Sequence, residues 1–356
     1  MVMKFIVLGA GAIGCYVGGR LAAQGQAVWL VGRPRALDAL AQQGLRVTDL
    51  YGFNQQVAPS ALRLVHSLAD ALRDVNPALP LGTVPTEPST TPTGAAPTPE
   101  CVVLLCVKSG ATESAARELA AVCAPGTPVI SLQNGVDNVT RIQAIAPGLN
   151  VLAGMVPYNV VLRGAHVHRA TAGHLQLQQS PVTEQLAPLW RVAGLATVLP
   201  ADIRAVQWGK LLLNLNNPVN ALSNLPLRDE LLDRDCRRVF AALQTEALGV
   251  MARAGITPAQ VTAVSPTLFP HVLRLPNWLF TRLARRMLQI DATARSSMWD
   301  DLEAGRVTEI DALSGAVVRL AAQHGMAAPL NSRMCEWLGG PRQRLTGAQM
   351  RSLLGV

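Results

Sequence analysis

The sequence predicts an α/β amino-terminal domain built on a parallel sheet, followed by an all-α carboxy-terminal domain, with the boundary near residue 200. Three observations carry this. "KFIVLG", a glycine-rich turn, "YVGGRLAAQG" and "AVWLVGR" read as strand, helix, strand within the first 33 residues. "CVVLLCV" (101–107), a helical stretch near 112–122 and "PVISLQ" (128–133) repeat the alternation. From about Ala201 onward helical periodicity dominates. Short β-branched runs separated by helices imply a parallel sheet covered on both faces.

Taken in order, the first turn is "GAGAIG", with Gly9, Gly11 and Gly14 in G-x-G-x-x-G spacing. The first glycine permits a tight turn, the second lets a pyrophosphate approach the backbone, and the third lets helix and strand pack closely. Alone the motif can be only a tight turn. Here it follows a strand, opens a helix and precedes a second strand, the context that a Rossmann-type dinucleotide site requires. Gly9, Ala10, Gly11, Ala12, Ile13 and Gly14 are therefore the candidate cofactor-binding turn, with the helix N-terminus attracting phosphate. The second strand ends in Gly32-Arg33-Pro34-Arg35 rather than in Asp or Glu. With no carboxylate for a ribose 2′-hydroxyl and two guanidinium groups at hand, the position suits the 2′-phosphate of NADP(H); the alternative is a pair of ordinary solvated arginines.

Residues 76–100, "NPALPLGTVPTEPSTTPTGAAPTPE", are rich in proline and threonine and poor in large apolar groups, which predicts a mobile surface insertion. Lys108 follows the third apolar run and Asn134-Gly135 follows the fourth. Either is compatible with turn chemistry, but ligands of open α/β sheets bind beyond the carboxyl ends of strands. Two polar strand ends beside the glycine turn point to a shared crevice. Segments near 151–161 and 165–178 also read as extended.

In the second half, "WGKLLLNLNNPVNAL" (208–222) carries a lysine and asparagines in a leucine-rich run. At about 100° per residue, Lys210, Asn214 and Asn217 share one face while leucines cover the others. A buried lysine or amide is costly without a partner, so the stripe faces either solvent or something polar. Lysine is rare here: 28 arginines stand against Lys4, Lys108 and Lys210. Unlike arginine, lysine can release a proton when burial shifts its pKa. Farther on, Ser296 and Ser297 fall on a helix that stops near Gly305. Thr308 and Asp311 read as a capping pair opening the next helix. Glu309 then sits in a first turn, where the helix dipole favours a carboxylate without catalytic duty. Residues 341–356 read as a carboxy-terminal tail.

Composition narrows the function classes. With 49% hydrophobic and 15% charged residues over 356 positions, the chain can bury two cores. A net charge of +8 favours anionic partners. Its arginines are scattered, and the densest cluster, "RLARRM" at 282–287, lacks aromatic interleaving, so nucleic acid is not the expected partner. No uncharged apolar run reaches the roughly 20 residues that span a bilayer, so no membrane association is expected. Phe5 to Leu8 is too short for the core of an export signal. Six cysteines without a C-x-x-C pair or a histidine cluster at zinc spacing predict no metal site, and reduced thiols in a cytoplasmic protein.

Together "KFIVLGAGAIG", "LCVKS", "LQNGVDN", "WGKLLLNLNNPVNAL", "SSMWDDLEAGRVTEID" and "HGMAAPLNSRM" resemble the ketopantoate reductase (2-dehydropantoate 2-reductase) family over nearly the whole chain. The resemblance implies a helical domain like the carboxy-terminal domain of 6-phosphogluconate dehydrogenase, and NADPH-dependent reduction of a small 2-oxo acid, ketopantoate first, on the route to pantothenate and coenzyme A. It implies that Lys210 is the catalytic lysine and Glu309 the active-site glutamate, orienting Lys210 or the cofactor edge. By the same resemblance Asn214, Asn217 and Ser297 contact substrate, and Asn134 lies near both substrate and nicotinamide. Lys108 and Arg33 bind cofactor, Arg33 at the 2′-phosphate, and the lysine stripe lines a cleft between domains. A homodimer is compatible with it. Asn217 stands one residue earlier than in the family pattern, and Leu227 follows Pro226 where some members have asparagine. That second departure keeps open a paralogue reducing another 2-oxo acid. A non-catalytic NADP-binding sensor is the rival of another class, opposed by the joint presence of Lys210, Asn214, Ser297 and Glu309.

Overall fold

The computed structural model describes residues 3–75, 101–285, 288–289 and 291–356. The insertion expected at 76–100 lies outside the described residues, as does part of the arginine cluster at 282–287. The chain divides into two compact units: residues 1–133 with 137–203, and residues 134–136 with 204–356.

The strands of the first unit are β1 (Lys4–Leu8), β2 (Ala27–Val31), β3 (Leu45–Asp49), β4 (Asn54–Val57), β5 (Arg63–Val65), β6 (Cys101–Leu105), β7 (Pro128–Ser131), β8 (Asn150–Met155), β9 (Val160–Arg163), β10 (His166–Arg169), β11 (Leu175–Leu177) and β12 (Thr197–Val198). Its helices are α1 (Ala12–Ala22), α2 (Pro34–Gln43), α3 (Leu68–Val75), α4 (Thr112–Val122), α5 (Asn138–Ile145) and α6 (Pro181–Val192). Eight strands form one sheet in the order β12-β11-β8-β7-β6-β1-β2-β5. From β5 to β8 every pairing is parallel, and β1, at the centre, is matched residue for residue with β2 and β6.

Period two sorts the side chains of these strands between two cores. Phe5 and Val7 of β1 enter one with Tyr16, Val17 and Leu21 of α1 and Trp190 of α6. Ile6 and Leu8 enter the other with Leu68 of α3 and Ala116 and Leu119 of α4. A parallel sheet buried on both faces explains why "FIVL" and "VVLL" are unbroken apolar runs.

The structure departs from an all-parallel sheet in two places. β11 runs antiparallel to β8. β3, β4, β9 and β10 also form a separate four-stranded sheet in the order β4-β3-β10-β9. The polar runs of β3 and β4 hide that sheet from a reading based on apolar patterning, since "NQQV" presents one buried residue in four.

The second unit is helical: α7 (Ile203–Asn214), α8 (Asn216–Ser223), α9 (Leu227–Leu232), α10 (Arg234–Arg253), α11 (Phe269–Leu273), α12 (Asn277–Leu283), α13 (Ser297–Glu303), α14 (Ser314–Gln323), α15 (Pro329–Gly339) and α16 (Gly347–Leu354). The single helix expected over 208–222 is two, parted at Leu215. Pro218 has no N–H to offer the carbonyl of Asn214 four residues back, so the ladder breaks there and restarts with proline in the first turn of α8. Asn217 therefore rides on a different helix from Lys210, across a Leu215 whose backbone stays helical (φ −63°, ψ −8°). The expected tail at 341–356 carries α16, opened by a capping box between Thr346 and Gln349 and burying Met350. Its capping turn places Gly347 where a Cβ would strike the Cys236 backbone of α10.

Gly209, inside α7 and beside Lys210, shows how tightly this helix is seated. A Cβ there would lie 2.3 Å from the carbonyl oxygen of Ala259, whose own N–H donates to the carbonyl of Ala205 at 2.8 Å. Helix propensity alone favours alanine over glycine by about 1 kcal/mol. Gly209→Ala is expected to do the opposite and destabilise the protein by about 1–3 kcal/mol, the usual cost of overpacking. Urea unfolding reads the sign directly: a raised midpoint would mean that the Ala259 backbone yields freely.

Candidate active site

The first turn is tied to the sheet by the backbone N–H groups of Gly9 and Ala10, which both donate to the carbonyl of Val31 at 3.0 and 3.1 Å. The three motif glycines then do different things. Gly9 has φ +117°, and a Cβ on it would meet the Val107 backbone nitrogen at 2.7 Å. A Cβ on Gly14 would come within 2.1 Å of the Gly9 carbonyl oxygen, so only glycine lets α1 start this close to β1. Gly11 is exposed, and a Cβ there would meet nothing within 4 Å.

α1 opens at Gly11 without a side-chain cap. Its first amides therefore present a partial positive charge toward the open side of the turn. A bare helix start, an unobstructed glycine and a turn closed over the sheet fit a dinucleotide pyrophosphate.

Arg33 lies directly beyond β2, exposed, at the N-cap of α2, with Arg35 exposed two residues on. Among the described residues neither forms an ion pair. Gly32 lets Ala10 approach, since a Cβ on it would sit 2.8 Å from the Ala10 methyl. That close contact keeps the arginine loop against the glycine turn. Lys108 is exposed at the start of a 3-10 turn (Ser109–Ala111), one residue after the Val107 backbone that abuts Gly9. The first unit thus gathers the glycine turn, Arg33 and Lys108 at the carboxyl ends of neighbouring strands.

In the second unit, α7 presents Lys210 to a chain segment distant in sequence. Lys210 Nζ donates to Asn134 Oδ1 at 2.8 Å, and Asn134 Nδ2 donates to Glu309 Oε2 at 3.1 Å. An ammonium only donates and a carboxylate only accepts, so one orientation of the Asn134 amide serves both. Burial pushes the Lys210 ammonium from its usual 10.5 down to about 8, and the Glu309 carboxylate partly offsets the fall.

Glu309 does not sit in the first turn of an α-helix. It is the N-cap of a short 3-10 turn (Ile310–Ala312) with no side-chain cap, and α14 begins only at Ser314. The expected Thr308/Asp311 capping pair does not form, because Asp311 turns to Arg319, which donates to its Oδ1 at 2.6 Å and to its carbonyl at 2.9 Å. The Glu309 carboxylate, outside any helical first turn, accepts from Asn134.

The candidate substrate residues of the second unit differ in exposure. Asn214 is half-buried at the end of α7, and Asn217 is half-buried on α8. Ser297 is exposed at the first position of α13. Sequence reasoning missed a buried cluster behind α8. Asn216 and Asn220 both donate to Glu230 Oε2, and Asn220 Oδ1 accepts the Ser296 N–H at 2.9 Å. A glutamate in "RDELL" carries no signal that its side chain points inward. Among the described residues no group of three or more His, Cys, Asp or Glu is placed to hold a metal ion, and no helix is long and apolar enough to cross a membrane.

A parallel sheet with an uncapped glycine turn, joined to a helical unit bearing a bridged lysine, defines the class of Rossmann-type oxidoreductases. The family model described as ketopantoate reductase PanE/ApbA matches residues 5–181, and its C-terminal companion matches residues 202–341. The chain belongs to the ketopantoate reductase family.

It is 28% identical over 338 residues to a 2-dehydropantoate 2-reductase of Halobacterium salinarum, covering 92% of this chain and 95% of that one. It is 26% identical over 346 residues to the enzyme of the same name from Archaeoglobus fulgidus, covering 95% and 98%. Among solved structures, a PanE/ApbA family ketopantoate reductase from Ralstonia eutropha superposes with TM-score 0.73 at 26% identity over 99% of each chain. A D-mandelate dehydrogenase solved with NADH and anilino(oxo)acetate shares the fold, with TM-score 0.71 at 20% identity over 99% of this chain and 100% of that one.

The depressed pKa of Lys210 makes a direct prediction. The ammonium is intact below pH about 8 and lost above it. Between about 8 and 10.5 the unfolded chain holds a proton that the folded chain does not. The cost of burying this charge therefore weighs on stability below about 8 and is relieved as pH rises. With only three lysines, 13C-labelled lysine resolves the residue by NMR: its titration midpoint should fall near 8, and Asn134→Ala should lower it further by removing an acceptor. A midpoint near 10.5 would show a solvated ammonium.

Proposed function

We propose that this chain reduces 2-dehydropantoate (ketopantoate) to pantoate with NADPH, a step that serves pantothenate and coenzyme A synthesis. The observation that carries the reading is the Lys210–Asn134–Glu309 relay. It keeps a proton donor half-buried, oriented, and poised near neutral pH, where acid catalysis is most effective.

NADPH, when bound, would supply the hydride that the keto carbon takes up. As the carbonyl electron pair moves onto oxygen, the Lys210 ammonium stabilises the developing alkoxide and transfers a proton from Nζ to it, becoming a neutral amine that is reprotonated from solvent. Asn134 holds Nζ through its amide oxygen, and Glu309, across the same amide, favours the charged form of the lysine. Asn214, Asn217 and Ser297 are assigned to the hydroxyl and carboxylate of the substrate. Gly9 to Gly14, Lys108 and Arg33 are assigned to the cofactor, Arg33 at the 2′-phosphate, with Asn134 and Glu309 at its nicotinamide end.

A second reading, reduction of another branched 2-oxo acid, is favoured by Leu227, an apolar residue at the head of α9 where some relatives carry asparagine. NADPH oxidation at 340 nm against a panel of 2-oxo acids separates the two. Tight NADPH binding with turnover of none of them would support a sensor instead.

Arg33→Glu removes a charge-assisted partner of the 2′-phosphate and adds repulsion. It should weaken NADPH far more than NADH in binding titrations, and equal losses would place the arginine elsewhere. Lys210→Ala should lower kcat by about two to four orders of magnitude with little change in NADPH affinity. Lys210→Arg should also be poor, because guanidinium keeps its proton. A soluble Lys210→Ala protein turning over at a near-native rate would overturn the mechanism.

A further inference from the structure

One buried acid of the second unit has no part in that reaction. Glu230, on α9, is 1% exposed. Its Oε2 accepts from Asn220 Nδ2 at 2.8 Å and from Asn216 Nδ2 at 3.2 Å. Asn220, fully buried on α8, uses its whole amide: Nδ2 also donates to the Leu225 carbonyl at 2.9 Å, and Oδ1 accepts the Ser296 N–H at 2.9 Å. Turning this amide over would set its oxygen against two acceptors and its NH2 against a donor, leaving buried polar groups unpaired.

The acceptor oxygens of Glu230 and Leu225 thus select the orientation in which Oδ1 holds the Ser296 N–H. Ser296 in turn caps α13, its Oγ accepting from Trp299 N at 3.2 Å. The next residue is Ser297.

We propose that Glu230 is a positioning residue which, by orienting Asn220, fixes the N-terminus of α13 and so places the Ser297 hydroxyl for the substrate. This rests on the assignment of Ser297 to substrate above. Burial pushes the Glu230 carboxyl up to about 8 against the hydrogen bonds from Asn220 and Asn216, so near neutral pH it is an uncharged acid. Glutamine matches that shape and keeps a carbonyl acceptor for Asn220. Leucine fills similar volume and offers none.

The test joins amide hydrogen exchange over residues 296–299 with steady-state kinetics on the 2-oxo acid. In Glu230→Leu, exchange at these amides and KM for the 2-oxo acid should each rise about tenfold, the scale of one lost buried hydrogen bond, while kcat and the KM for NADPH stay near wild type. Glu230→Gln should restore both. Asn220→Leu should reproduce the leucine pattern and replaces Glu230→Leu if that variant does not fold.

Unchanged exchange in a folded leucine variant, equal damage in Glu230→Gln, or a fall in kcat at constant KM would each overturn the proposal. So would failure of both leucine variants to fold, which would make Glu230 a folding residue only. If the wild-type protein reduces no 2-oxo acid, the functional reading falls by itself. The exchange measurement then still decides whether Glu230 sets the start of α13.

Discussion

An ammonium group placed among leucines must be given acceptors, and much of the proposed site follows from how this chain supplies them. Lys210 finds the Asn134 amide oxygen, and Asn134 finds Glu309. Each link constrains the next. A lysine can serve as a proton donor near neutral pH only if burial lowers its pKa, and burial is tolerable only while a partner faces the charge. The same desolvation that creates the chemistry is thus a cost to the fold, offset by the hydrogen bond to Asn134 and by the Glu309 carboxylate.

Glycine supplies the complementary constraint in the first unit. Gly9, Gly14 and Gly32 stand where a single methyl would collide with the backbone or with Ala10. Gly11 stands where nothing is near. Three of these glycines let chain segments meet, and one leaves a helix start open. Side-chain absence is therefore used in two opposite ways within a few residues, for packing and for access. Arg33 and Lys108 are carried on the loops that those close contacts hold in place.

Behind the second unit's polar residues, the asparagines of "NLNNPVN" divide their labour. Asn214 and Asn217 are half-buried, whereas Asn216 and Asn220 turn inward to Glu230. At about 100° per residue Asn216 and Asn220 share a side turned away from Asn214, and the helical backbone of Leu215 carries that phase from α7 into α8.

Much of this was legible in the chain. The β-α-β alternation, the glycine turn and the helical second half follow from local patterns, because hydrophobic period and glycine spacing act over a few residues. Lys210 stood out because lysine is so rare here, and Arg33 because it replaces an expected carboxylate. The four-stranded sheet of β3, β4, β9 and β10 was not legible, since its strands are short, partly polar and distant in sequence. The reach of Asn134 across 76 residues to Lys210 and 175 to Glu309 was not legible either. Nor was the choice of Asp311 to pair with Arg319 rather than cap a helix. A sequence specifies which groups need partners through their own chemistry. Which partners they find is decided only when packing closes distances that no local period encodes.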